Sequence, residues 1–258
     1  MAKLSVLILA KNEEKNIADC IKSVAFADEV VVIDDFSEDR TAAIAESLGA
    51  RVVQRAMQGN WGEQQTFAIE QASHDWIFFL DADERASKRL AAKVCEVVAA
   101  DDRRYAYNIA RLNYFWEQPL RHGGWFPDYG MHLLPREGVY VTGFVHPQIH
   151  HAYEEEHLLK QEHIIHYPYR DWEHYFNKLN LYTTLAAKKM KEQGKSAHIW
   201  DFILHPAWAS FRMYVLKGGW RDGRVGFVLA GFHYFYTMAK YVKLYYLAKT
   251  NEHVGDER

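Results

Sequence analysis

The chain has 258 residues, of which 49% are apolar and 25% charged. That is enough for one large α/β domain with an appendage or for two small domains, and too apolar for disorder. A formal net charge of −3 argues against a general nucleic-acid binder, and Cys20 and Cys95, each inside a helical pattern, give no sign of an oxidising compartment.

Leu4–Leu9 is an apolar run that reads as a first strand. The stretch from Met1 to Lys11 is too short to span a bilayer and has no cleavage site, so the expectation is a cytoplasmic protein without a signal peptide. Asn12 is a plausible N-cap, with helical spacing over Asn16–Val24. Glu29–Ile33 is a second strand ending at Asp34-Asp35. Ser37 or Asp39 caps a helix through Leu48, stopped by Gly49. Arg51–Gln54 is a short strand, Gly59–Gly62 a loop and Glu63–Ala72 a helix. Trp76–Leu80 reads as a strand buried on both faces, ending at Asp81-Ala82-Asp83. Ser87 then caps a helix to about Ala100. This alternation of strands and helices is the signature of a parallel sheet, whose carboxyl edge is where ligands bind.

After residue 104 the pattern changes. Tyr105–Phe115, Met131–Leu134, Tyr140–His151 and Glu162–His166 read as strands of a mixed sheet, and Arg121–Pro127 as a loop between them. Trp172–Gln193 is a long helix closed by Gly194, with further helices over Ile199–Leu216 and Val225–Ala248. The domain expectation is therefore 1–104 for nucleotide binding, 105–170 for the acceptor and 171–258 for a helical region.

Lys11, Asn12 and Glu13 follow the first strand, Asp34 and Asp35 the second, and Asp81 and Asp83 the buried one. An acid after the second strand of such a sheet commonly receives a ribose hydroxyl or a base N–H. Ala10–Asn16 holds no glycine, so no backbone nest cradles phosphate at that turn. Two carboxylates brought together by a turn are hard ligands suited to Mg²⁺ or Mn²⁺ with a diphosphate. Together these features favour a nucleoside diphosphate held by acid and metal over a dinucleotide.

Ala10-Lys11-Asn12-Glu13-Glu14, Val31 to Thr41 and Phe79-Leu80-Asp81-Ala82-Asp83-Glu84, in this order and spacing, resemble family 2 glycosyltransferases of the GT-A fold, inverting enzymes that use a nucleotide sugar. Arg111 to Phe115, His122 to Tyr129 and Gly143 to His146 extend the likeness to about residue 185, towards the heptose β-1,4-glucosyltransferases of the bacterial lipopolysaccharide core. The resemblance implies an α/β fold with a Rossmann-like nucleotide-sugar sheet, a mixed-sheet acceptor half and C-terminal helices. Ala10, Asn12 and Glu13 would line the nucleotide pocket, Asp35 would hold the uracil or ribose, and Asp81 and Asp83 would form the DxD element, with Asp83 the direct metal ligand. Arg111, Trp125 and Asp128 would face sugar and acceptor. The chain departs from its relatives at His132, where they carry Arg, and at Pro147, where they carry a Glu that is a favoured general base. That leaves Asp128 first and His146 second as the base, with Gln148 able only to orient the acceptor.

No HExxH or paired CxxC frames the 14 histidines, which argues against structural zinc. His166 is the one that could approach the metal or diphosphate from the mixed sheet. Between residues 198 and 250, Arg212, Lys217, Arg221, Arg224, Lys240, Lys243 and Lys249 outnumber Asp201 and Asp222, and aromatics are dense. Such a helical end suits an anionic membrane surface, here the inner membrane, and so an acceptor that is a lipid-linked saccharide. A spanning helix is disfavoured by His233, Lys240 and Lys243. Packing within the chain or across a homodimer is the alternative. A nucleotidyltransferase would need a phosphate loop that the first turn lacks, and a receiver domain would leave Asp81-Ala82-Asp83 and the second half without a role.

Overall fold

The computed structural model describes residues 2–144 and 147–253, with side chains through residue 247. In chain order the elements are β1 (Leu4–Ala10), α1 (Ile17–Ser23), β2 (Glu29–Asp34), α2 (Thr41–Ser47), β3 (Arg51–Gln54), α3 (Trp61–Gln71), β4 (Trp76–Asp81), β5 (Glu84–Ala86), α4 (Lys88–Ala100) and β6 (Tyr105–Phe115). There follow β7 (Gln118–Pro119), β8 (Asp128–Pro135), β9 (Tyr140–Thr142), β10 (Gln148–His150), β11 (Glu154–His157), β12 (His163–His166), α5 (Trp172–Glu192), α6 (Leu204–Phe211) and α7 (Gly223–His253). They fall into two compact units, one of residues 1–112 and 127–166, the other of residues 113–126 and 167–258.

The first unit is built on a sheet of order β3-β2-β1-β4-β8-β6-β12-β5. β3, β2, β1 and β4 run parallel, and β8 joins β4 antiparallel. Strand β4 is apolar on both faces because both are covered: Trp76, Ile77, Phe78 and Leu80 are at most 2% exposed. Each such side chain contributes about 1.5–3 kcal/mol on burial. One cluster sets Val6, Ile8, Phe78 and Leu80 against Ile17, Cys20, Leu90 and Val94 of α1 and α4. The other sets Leu7, Ile33, Ile77 and Phe79 against Ala68 and Ile69 of α3.

Asn12 is not an N-cap. It takes φ 54 in the turn after β1, a left-handed conformation that Asn tolerates better than most residues, and α1 begins only after Asn16. Nor does Ser37 cap α2. It serves the neighbouring loop, while Asp39 accepts the N–H of Thr41. The expected strand Tyr140–His151 is a hairpin of β9 and β10. β11 had no signal: Glu154 to His157 are all exposed, so no alternation marks them, yet they pair in parallel with β6.

The second unit is helical, with β7 paired to Tyr114 and Phe115. Phe115, Leu120, Tyr175, Met213 and Leu229 form its core cluster. The single helix expected over Ile199–Leu216 is three pieces: a 3₁₀ turn at Ile199–Phe202, α6, and a π turn at Arg212–Leu216. Pro206 in the first turn of α6 is the reason for the restart, since proline lacks the N–H that a continuing helix would need. No described helix is long and apolar enough to cross a membrane.

Candidate active site

The carboxyl ends of three parallel strands meet on one edge of the first unit. In the register of β1, Ala10 lies beside Asp34 of β2 and Leu9 beside Asp81 of β4. The loop after β2 and the turn after β4 are thus two strand spacings apart, about 10 Å.

The first two loops are stitched together. Asp34, fully buried, accepts from the Ser37 hydroxyl and N–H. The Ser37 oxygen in turn accepts the N–H of Asn12, and the Thr41 oxygen that of Glu13. Asn12 returns the contact by accepting the Glu38 N–H at 2.8 Å. Asp35 donates its N–H to Ala10, and its carboxylate accepts from Lys11 Nζ at 2.8 Å and Met57 N–H at 3.0 Å. A carboxylate has about four lone-pair sites, so Asp35 retains capacity for a base or ribose donor.

The turn after β4 is held from beneath by Arg85. Its guanidinium donates to the carbonyls of Ala82 and Glu84 and to the Asn16 side chain, and Asn16 donates to Glu13 at 2.7 Å. The chain then enters β5, which pairs antiparallel with β12 and sets His166 opposite Glu84. That pairing brings His166 Nε2 to 3.6 Å from Asp83. Burial works to lower the pKa of His166, but hydrogen bonding and charge from Asp83, with the charge of Glu84, raise it overall.

Glu84 is the residue that sequence reasoning passed over. It is fully buried; one oxygen accepts the Asp81 N–H at 2.9 Å, and the other has no hydrogen-bond partner. Arg111 Nη1 stands 3.9 Å from that second oxygen. Burial first, and the charge of Asp81 second, push its pKa up to about 8. The only signal was an acid directly following Asp83. What makes it notable is the fold, which turns it inward.

Arg111, on β6, bonds Asp128 of β8 at 2.8 Å, the two being register partners. The Asp128 side chain is 45% exposed, so the guanidinium fixes a carboxylate that still meets solvent. His132, four residues further along β8, is buried. Its Nδ1 lies 2.9 Å from the Phe79 carbonyl oxygen and must donate to it. Burial lowers its pKa to about 4, so the ring is neutral and only Nε2 is left to meet a ligand.

The structure therefore brings together Ala10, Asn12, Glu13, Asp35, Asp81, Asp83, Arg111, Asp128 and His166 on one unit. Trp125 belongs to the other unit, and His146 lies outside the described residues. Among the described residues, no three of His, Cys, Asp and Glu close around a metal ion by themselves. The donor set of Asp81, Asp83 and His166 is nevertheless of the type that suits Mg²⁺ or Mn²⁺ when phosphate oxygens complete the shell. Asp81 and Asp83 are the carboxylates such a cation would meet, while the raised pKa of the buried Glu84 leaves it largely protonated and uncharged at neutral pH.

Residues 5–219 match the family described as Glycosyl transferase family 2. A lipopolysaccharide core biosynthesis glycosyltransferase, LpsC, of Rhizobium meliloti is 30% identical over 256 residues, covering 94% of this chain and 92% of its own. An uncharacterised glycosyltransferase of Rickettsia felis is 30% identical over 241 residues, covering 88% and 84%. Among solved structures, Staphylococcus aureus TarS 1–349 in complex with UDP-GlcNAc matches with TM-score 0.48 and 18% identity, over 71% of this chain and 66% of that one. Mycobacterium tuberculosis glucosyl-3-phosphoglycerate synthase, in complex with Mn²⁺, UDP and glucosyl-3-phosphoglycerate, matches with TM-score 0.36 and 24% identity, over 44% and 45%.

Proposed function

The chain belongs to glycosyl transferase family 2, and from that membership we propose that it transfers glucose from UDP-glucose to an inner-core heptose of lipopolysaccharide, with inversion. It is a glycosyltransferase of the GT-A type with a lipopolysaccharide-core relative; the donor, the acceptor and the mechanism are our reading. The observation that carries it is the common edge of Asp35 and Asp83. Their separation of two strand spacings suits a nucleoside diphosphate with its base at one end and its phosphates at the other.

Asp35 accepts from the uracil or ribose, and Ala10, Asn12 and Glu13 border the nucleotide. Asp83 and Asp81, with His166 beside them, would hold a divalent cation. When bound, that cation supplies Lewis-acid stabilisation to the departing diphosphate. Arg111 positions Asp128, whose carboxylate takes the proton of the attacking acceptor hydroxyl, an assistance worth about 10²–10⁴-fold. His146 is the second candidate for that role. Glu84 and Arg85 touch neither substrate; they set the shape of the turn on which Asp81 and Asp83 sit.

The exposed aromatic residues of the C-terminal helices, Trp200, Trp208, Trp220 and Phe227 among them, support a peripheral position on the cytoplasmic face of the inner membrane. That location suits a lipid-linked acceptor. Pro147, standing where relatives carry a general-base Glu, favours a second reading: a sugar-nucleotide-binding protein that no longer transfers.

A donor screen with Mn²⁺, reading free nucleoside diphosphate with and without a heptose-terminated core acceptor, tests both. The expected result is release from UDP-glucose that the acceptor accelerates, with the acceleration lost in Asp128→Asn while slow donor hydrolysis persists. Donor binding without release from any sugar nucleotide would favour the binder.

A further inference from the structure

The second unit contains a cavity of about 480 Å³ with no carboxylate on its described lining. Arg212, Lys217 and Lys240 line it, with Trp125, Trp208 and Tyr241 among its walls. None of these three cations takes part in an ion pair of the described residues. The two acids of the segment are already engaged. Asp222 accepts from His122 Nδ1 at 2.7 Å and from the N–H groups of Arg121 and His122. Asp201 pairs with His205 at 3.2 Å and accepts the His198 N–H.

The backbone is shaped to hold this arrangement. The π turn carries Arg212 and ends at Lys217, and π segments often mark functional positions. Lys217 lies across Gly124, whose φ is +88 and where a Cβ would stand 2.5 Å from Lys217 Nζ. Burial first, then the charges of Lys240 and Lys217, push the pKa of His233 down, and burial pushes that of Lys240 down. Exposed Arg212 and Lys217 and half-buried Lys240, gathered around one cavity without a counter-charge on its described lining, match an anionic ligand.

A second feature adjoins the first. Trp200, Leu204, Trp208, Phe211 and Val215 recur every three or four residues, each between 46% and 67% exposed. Trp208 belongs both to this stripe and to the cavity wall, and Arg212 follows one helical turn later. A basic cavity that opens beside an apolar, tryptophan-bearing stripe fits a ligand with an anionic head and an acyl tail.

We propose that this cavity binds the phosphate headgroup of an anionic membrane lipid, with Arg212, Lys217 and Lys240 on the phosphate oxygens and the stripe from Trp200 to Val215 set into the acyl boundary. This rests on the membrane-surface reading given above, and adds to it a defined headgroup site.

The test measures binding of the full chain to phosphatidylcholine vesicles with and without phosphatidylglycerol, to short-chain phosphatidic acid below its micelle concentration, and to glucose 1-phosphate. Lys217→Gln and Lys240→Gln are compared with Arg224→Gln, which removes an exposed charge outside the cavity, and matching circular dichroism and melting curves verify folding. The expected result is binding that requires phosphatidylglycerol, weakened about tenfold or more by either cavity variant and about fivefold or less by Arg224→Gln. Short-chain phosphatidic acid should show the same ranking. Equal losses in all three variants would overturn the headgroup site and leave only general attraction to an anionic surface. If short-chain phosphatidic acid obeys the ranking while vesicles are ignored, the cavity stands and the membrane reading falls. If glucose 1-phosphate binds as tightly as the lipid, the ligand is a soluble sugar phosphate and the lipid assignment is overturned.

Discussion

The two units solve opposite electrostatic problems. At the strand edge of the first, Asp81 and Asp83 sit against a buried Glu84 whose pKa is pushed up to about 8, with Arg111 and His166 beside them. In the cavity of the second, Arg212, Lys217 and Lys240 gather without a carboxylate. Charges of one sign held close together repel one another unless something of the other sign arrives. On the proposals made above, the first unit would take a cation carrying phosphate and the second phosphate alone. The supporting structure differs as well. Parallel strands fix the acids through their register, whereas the cations depend on a π turn and on glycines that let side chains approach.

The most severe way to break this contrast is to remove the acid that faces His166. Asp83→Ala should lower donor hydrolysis about 10²–10³-fold, by analogy with the loss of one group that stabilises a developing charge. Mn²⁺ binding, followed by electron paramagnetic resonance, should weaken in parallel. The cavity variants of the second unit should leave Mn²⁺ binding unchanged. Wild-type hydrolysis by the Asp83→Ala protein would mean that the acidic edge is not the phosphate end of the donor site.

The acidic edge was largely legible in the sequence because its signals are local. An apolar run such as Trp76–Leu80 that halts at Asp81 announces both a buried strand and its carboxyl end. His166, at the end of a short apolar strand, could be placed near the same edge. Glu84 could not, because its burial follows from β5 pairing with β12, roughly eighty residues later. Family likeness marked Arg111 and Asp128 as facing sugar and acceptor, but their pairing depends on the β6–β8 register and had no signal in the sequence. In the second unit the excess of basic and aromatic residues was visible, but not its focus. Gly124, Lys217 and Lys240 come from three separate segments, and nothing short-range says that they meet. Likewise, the helical periodicity over Ile199–Leu216 hid both the break at Pro206 and the π turn.

A smaller effect separates the buried histidine of the first unit from the cations of the second, of which only Lys240 is half-buried. Burial pushes the pKa of His132 down to about 4 in the folded chain, against about 6.5 unfolded. The unfolded chain therefore binds more protons between those values, and stability falls as pH drops through that window, being fully retained above it. From about pH 7 to about pH 5, this one group should remove about 2 kcal/mol of stability. His132→Asn can keep a donor towards the Phe79 carbonyl without titrating there, so its urea midpoint should fall less over the same range. Parallel pH curves for the two proteins would show that His132 is solvated.

The smallest effect sharpens the comparison most, because it distinguishes a glycine kept for its backbone from one kept for what lies above it. Gly49 and Gly124 both have left-handed φ, +84 and +88. An alanine at either costs about 1 kcal/mol in backbone strain, and melting should register similar losses for both variants. Gly49 has nothing within 4 Å of an added Cβ, whereas at Gly124 the new methyl would stand 2.5 Å from Lys217 Nζ and 2.8 Å from its Cδ. A lysine is flexible, so Gly124→Ala displaces the ammonium rather than the fold. Binding to phosphatidylglycerol vesicles should therefore weaken severalfold in Gly124→Ala and stay at the wild-type level in Gly49→Ala. Unchanged binding in both would mean that the position of Lys217 over Gly124 serves packing alone, leaving Arg212 and Lys240 to hold the headgroup.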